Sequence, residues 1–167
     1  MTPPSSKELE RQRAQRAALI AAAGGLQAAR QAGKLNRKVD LTLSEALVLG
    51  LIGQGVHKFF TVFGHGSTEV GEVLRIYQEA GVVQVYGLRS EIEASHAAAA
   101  LRWVRGEKAA VVTSIGPGAM QALAASLVPA SNGIGLWYLF GDETTQDEGY
   151  NMQQIPRCEQ GLFLKLC

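Results

Sequence analysis

Glu91 stands in the run Gly87-Leu88-Arg89-Ser90-Glu91-Ile92-Glu93-Ala94-Ser95-His96, with alanine from Ala97 to Ala100 behind it. A carboxylate at the head of a helix has two uses. It can cap free N–H groups and oppose the helix dipole, or it can act on a ligand as a positioned acid–base group. The small residues that follow let this helix pack close against another backbone, which favours the second use. Two glycine turns stand on either side of it in the chain, Gly64-His65-Gly66-Ser67 and Ser114-Ile115-Gly116-Pro117-Gly118. Neither is a nucleotide or hydrolase signature. Position 69 is Glu where a dinucleotide fingerprint has its third Gly, and Glu91 lies too far on to be that fingerprint's acidic residue. Ser114 precedes its glycines, whereas a nucleophile elbow holds the serine between them. Gly141-Asp142-Glu143 offers carboxylates to a metal, but no second ligand group is spaced to help. His65, taken singly, reads as a structural or merely exposed loop residue.

The elements that must position these groups alternate regularly. Ser5-Ser6 and Glu8 open a capped helix through about Ala32, broken or bent at Gly24-Gly25. A helix follows over 43–54. Strands are predicted at Phe59–Phe63, Val82–Tyr86, Ala109–Thr113 and Ile134–Phe140, and helices at Val70–Ala80, Glu91–Arg105 and Ala119–Val128. Strands that are apolar almost throughout, alternating with helices, imply a parallel sheet covered on both faces. The expectation is a three-layer αβα domain over 41–167, preceded by a basic helical arm and linker over 1–40. Ligands of such sheets bind at the carboxyl ends of the strands, where Gly64–Ser67, Gly116–Gly118 and Gly141-Asp142 fall.

Composition narrows the class. The chain has 167 residues, 47% hydrophobic and 19% charged, with net charge +1. That suits one globular domain and gives nothing global for nucleic acid or an acidic membrane. The arm carries eight Lys/Arg against Glu8, Glu10 and Asp40, so it is basic over an acidic body. It reads either as a solvated segment or as one that wraps a partner subunit. Cys158 and Cys167 show no metal or disulfide pattern, which favours a reducing cytoplasm. No run is long and apolar enough for a membrane span, and no targeting signal is evident.

Taken in order, Phe63-Gly64-His65-Gly66, Arg89-x-Glu91 with His96 and its alanines, Thr113-Ser114-x-Gly116-Pro117-Gly118-Ala119 and the strand ending in Gly141-Asp142 resemble a family. It is the pyrimidine-binding domain of thiamine-diphosphate enzymes of the acetolactate synthase and decarboxylase type. Phe-Gly-His-Gly, Asn132-Gly133-Ile134 and Gly141-Asp142 are most similar to the trihydroxycyclohexanedione hydrolases of that superfamily. The resemblance covers about residues 41–167.

The resemblance implies roles residue by residue. Glu91 would hydrogen-bond N1′ of the aminopyrimidine and so promote loss of the C2 proton of the thiazolium. Gly64, Gly116, Pro117 and Gly118 would border the cofactor. His65, Gly66 and Ser67 would face the substrate side, with Gln153 and Gln154 near the site; many members have Gln-Glu at the latter pair. The reaction would make or break a C–C bond beside a carbonyl of a 2-oxo acid or cyclic diketone. A complete member also has a diphosphate-binding domain in which Gly-Asp-Gly and a later Asn hold Mg²⁺ and the phosphates. This sequence has no such pattern, so the expectation is a pyrimidine-binding subunit or fragment, active in an oligomer with a partner that supplies that half. Two rivals stay open: a non-catalytic regulatory or binding module with this fold, and an unrelated nucleotide-binding α/β domain.

Overall fold

The computed structural model describes residues 5–36 and 38–142. Six helices and four strands follow in order: α1 (Ser6–Ala22), α2 (Leu26–Gln31), α3 (Leu43–Gly53), β1 (Lys58–Val62), α4 (Thr68–Glu79), β2 (Gln84–Gly87), α5 (Glu91–Arg105), β3 (Ala109–Thr113), α6 (Pro117–Ser131) and β4 (Trp137–Phe140). The strands form one parallel sheet in the order β2-β1-β3-β4. All five residues of β3 are buried, as expected of a strand covered on both faces.

Alternation along the strands sorts the core into two layers. Phe59, Ala110 and Val112 pack with Ile20, Val48, Leu51, Ile52, Leu74 and Tyr77 from the α1–α4 side. Phe60, Ala109 and Val111 pack with Ala94, Ala98 and Ala122 from α5 and α6. The molecule is therefore the three-layer α/β sandwich that the strand pattern predicts.

Several boundaries differ from the sequence reading. Helix α6 begins at Pro117 because Gly116, at φ 61°, turns the chain into it and proline suits the first helical position. Strand β4 begins later than Ile134, whose N–H still closes the end of α6 on Pro129 O at 2.8 Å. Val82 likewise completes α4 through a 2.9 Å bond to Tyr77 O before β2 starts.

The arm is not simply a solvated segment: it docks on its own domain. Its polar stripe hides a short apolar one: Ala17, Ile20 and Ala29 are buried in this domain's own core. Buried charge fixes the docking. Arg16 donates to both oxygens of Glu45, at 2.8 and 2.5 Å, and Tyr77 Oη donates to Glu45 at 2.9 Å. Arg13 donates to Thr42 Oγ1 at 2.9 Å and pairs with Glu69. Glu45 is fully buried, so these partners are what let a carboxylate sit there. Burial, reinforced by the Glu45 charge and hydrogen bond, pushes the Tyr77 phenol well above its usual range.

Candidate functional site at the carboxyl edge of the sheet

The loops leaving β1, β3 and β4 meet in backbone contact. Ile115 N–H donates to His65 O at 3.1 Å, and Gly141 N–H to Thr113 O at 3.1 Å. A Cβ on Gly141 would stand 2.5 Å from His65 O, and one on Gly66 would strike the Asp142 backbone. Gly66 also has φ 77°, so glycine is required there for shape and for space. The loop after β1 is closed on itself: Ser67 N–H donates to Gly64 O at 3.1 Å, and Ser67 Oγ bonds both Gly64 N and Gly64 O at 3.1 Å. Ser67 is buried. Its hydroxyl is thus spent shaping the turn, while His65 and Gly66 are exposed.

Glu91 reaches this edge from β2. Leu88 N–H bonds Thr61 O at 3.0 Å, which draws the strand's exit toward β1. Ser90 then caps α5 by accepting from Ile92 N–H at 3.2 Å. The capping task falls to Ser90, which leaves the Glu91 side chain free to turn inward. Glu91 is only 9% exposed. Among the described residues its carboxylate has no hydrogen bond or ion pair. Instead it lies on Gly118: a Cβ there would meet Glu91 Oε1 at 2.7 Å and Ser114 Oγ closer still. Only a residue without a side chain lets the carboxylate lie over the first turn of α6. The positive ends of α5 and α6 converge on it and offset part of the cost of burying a charge.

The structure thus brings Glu91, Gly64, Gly118 and Ser114 into one layer, with Gly116 and Pro117 turning the chain beside it. A Cβ on Gly64 would stand 2.7 Å from Ser114 Cβ. Gln153 and Gln154 lie outside the described residues. Sequence reasoning weighed Ser114 only as a nucleophile and set it aside, and nothing in the spacing marks its hydroxyl as a neighbour of Glu91. Away from this edge, a groove of about 330 Å³ between the arm and α3 is lined by Arg16, Ile20, Arg30, Asn36 and aliphatic side chains. Arg16 there is already committed to Glu45.

The other faces of α5 and α6 are unusual for a water-facing layer. Trp103, Val104 and Leu127 are 65%, 80% and 70% exposed, and Met120 and Val128 are exposed as well. Helix α6 contains no charged residue. No helix among the described residues is long and apolar enough to cross a membrane.

Residues 41–160 match the family profile described as thiamine pyrophosphate enzyme, N-terminal TPP binding domain. Among curated proteins, the chain is similar to 3D-(3,5/4)-trihydroxycyclohexane-1,2-dione hydrolase of Bacillus subtilis, 34% identical over 113 residues, covering 60% of this chain and 17% of the relative. The proteins of the same name from Bacillus licheniformis and Bacillus velezensis are 34% and 33% identical over 136 and 137 residues, each covering 74% of this chain and 21% of the relative. The chain therefore aligns with about a fifth of the length of these relatives.

Proposed function

The chain belongs to the thiamine pyrophosphate enzyme family, through its N-terminal TPP-binding domain, and from that membership we propose that Glu91 contacts N1′ of the cofactor's aminopyrimidine. The observation that carries this is the Glu91 carboxylate itself: 9% exposed, without a donor among the described residues, and laid on a glycine surface. A flat, nitrogen-bearing ring fits such a place. It can supply the missing donor, and Gly64 and Gly118 place no side chain in its path. When bound, the cofactor supplies carbanion chemistry at C2 for bond making or breaking beside a carbonyl. This chain's part is to orient the ring, exclude water from its edge and hold negative charge at Glu91, which favours a proton on N1′. His65 and Gly66, exposed on the loop after β1, border the side from which a carbonyl substrate would approach. The names of the relatives support a cyclic dione as that substrate class.

The diphosphate and its Mg²⁺ belong, in this reading, to a separate chain or domain. The uncharged α6 and the exposed Trp103, Val104 and Leu127 support such a partner, since a surface of this kind is stable when another apolar face covers it. The functional unit is then an oligomer or a longer polypeptide, and the site is completed across that contact.

The test is Glu91→Gln in the assembled enzyme, followed by exchange of the cofactor's C2 proton. Loss of the charge should slow exchange by about 10²–10⁴-fold, the usual worth of acid–base assistance. Exchange at the unsubstituted rate, with cofactor bound, would leave position 91 as a helix-terminal residue only and favour a non-catalytic binding module.

A further inference from the structure

Ser114 brings a hydroxyl to the Gly118 surface beside Glu91, and nothing in its sequence motif assigns it a task. Its Oγ and Glu91 Oε1 both crowd the point where a Gly118 side chain would begin. Its present acceptor is poor: Oγ lies 3.5 Å from Ile115 O, at the limit of a hydrogen bond. Glu91 is 9% exposed and, among the described residues, has no side-chain or backbone donor, so a nearby hydroxyl meets no competing partner there. The Ser114 Cβ is fixed by the close approach of Gly64, so rotation about χ1 is the motion left to the hydroxyl. Such a rotation exchanges a marginal neutral bond for a charge-assisted one.

We propose that Ser114 is the positioning residue for Glu91, its hydroxyl donating to the carboxylate and fixing the oxygen that faces the cofactor. The inference rests on the reading of Glu91 as the cofactor contact, but the pair itself can be examined without the cofactor. Gly64 and Gly118 then have a shared purpose: they keep both walls clear so that the two oxygens can meet. A donor on one carboxylate oxygen also leaves the other as the acceptor with a defined direction, which a freely rotating carboxylate lacks.

The experiment uses the full chain labelled with ¹³C at glutamate carboxyl carbons. The Glu91 resonance is identified by its disappearance in Glu91→Gln. Ser114→Ala should move that resonance by more than its linewidth while the amide spectrum beyond residues 114–118 and 91 stays in place. Ser114→Thr, which keeps the hydroxyl, should return it toward its original position. A Glu91 resonance unmoved in Ser114→Ala would overturn the proposal, whether or not threonine is accommodated beside Gly64. In the assembled enzyme Ser114→Ala should slow C2-proton exchange by about tenfold, the scale of one hydrogen bond to a charged group, and Ser114→Thr should recover most of it. A shifted resonance with exchange indifferent to Glu91→Gln would keep the pair and sink the cofactor reading. Normal sensitivity to Glu91→Gln with no shift in Ser114→Ala would do the reverse.

Discussion

The two faces of the sheet are covered by different means. Toward α1–α4 the core includes large side chains, Phe59, Ile20, Leu74 and Tyr77, and its buried charges are paired within the chain, Glu45 with Arg16 and Arg13 with Glu69. Toward α5 and α6 the helices contribute only alanines to the fully buried core, Ala94, Ala98 and Ala122, set against Phe60, Ala109 and Val111 of the sheet. The outer surfaces of those helices keep Trp103, Val104 and Leu127 in water. One layer is closed by its own residues. The other is thin, exposes apolar side chains outside, and carries Glu91 at one end with no donor among the described residues. A carboxylate is enclosed on both sides: Glu45 is paired within the chain, and Glu91, which the proposed function gives to the cofactor, has no partner among the described residues.

Substituting the two buried glutamates should separate those purposes. Glu91→Gln should have the larger effect, about 10²–10⁴-fold on C2-proton exchange, while unfolding in urea shifts by about 1 kcal/mol or less, the scale of a lost terminal interaction. Glu93→Gln, exposed two residues further along α5 and facing elsewhere on the helix, should change neither. If Glu91→Gln instead unfolds the chain without altering exchange in what remains, the contrast between the faces collapses.

Glu45→Ala reverses the pattern. It leaves the Arg16 guanidinium and the Tyr77 hydroxyl without their partner, and removing one member of a buried pair costs about 3–5 kcal/mol. Urea unfolding should show that loss, with α1 the first element to lose amide protection because Arg13 and Arg16 anchor it. An unfolding free energy within 1 kcal/mol of the unsubstituted chain, on the scale of an ordinary surface change, would mean the arm is held by Ala17 and Ile20 alone.

Leu127→Asp addresses the thin face. At 70% exposure it should alter the chain's own stability by about 0.5 kcal/mol or less. Its affinity for a diphosphate-binding partner, followed by titration calorimetry, should fall by at least about tenfold, as for a charge set into the centre of an apolar contact. Unchanged affinity would place the partner on a different surface.

How much of this was legible beforehand depends on whether the signal was local. Periodicity gave β3 and α5 to the residue, since Ala109–Thr113 and Glu91–Arg105 are bounded by residues that end elements for local reasons, Gly106 at φ 69° among them. Glu91 and the glycine turns were legible as a series of motifs. The arm's place was not. Its burial depends on Arg13 and Arg16 finding Glu69 and Glu45 far along the chain, and arginines in a polar helix read as solvated until those partners are known. Ser114 was legible only as a rejected nucleophile, because its nearness to Glu91 passes through Gly118, a glycine that matters for the space it leaves.

The smallest effect expected is a change in pH dependence at Tyr77, and it reports on the closed face alone. Burial first, then the neighbouring Glu45 charge, raises the phenol's pKa in the folded chain, whereas the unfolded chain titrates near the ordinary value of about 10. Below that value both states hold the proton and the contribution to stability is complete. As pH rises past about 10 the unfolded state gives up its proton and the folded state keeps it, so the folded state binds more protons and stability falls with pH. Tyr138 is shifted in the same direction by its own burial, so the slope of the unsubstituted chain contains both. Tyr77→Phe should therefore flatten the decline between about pH 10 and 11 without abolishing it. At pH 7 it should cost roughly 1 kcal/mol for the hydrogen bond that Tyr77 gives Glu45. Urea midpoints measured at pH 7, 10 and 11 in both chains decide it. Parallel loss of stability in the two would mean that the phenol opens to solvent before it titrates, and that the Glu45 cluster is looser than its distances suggest.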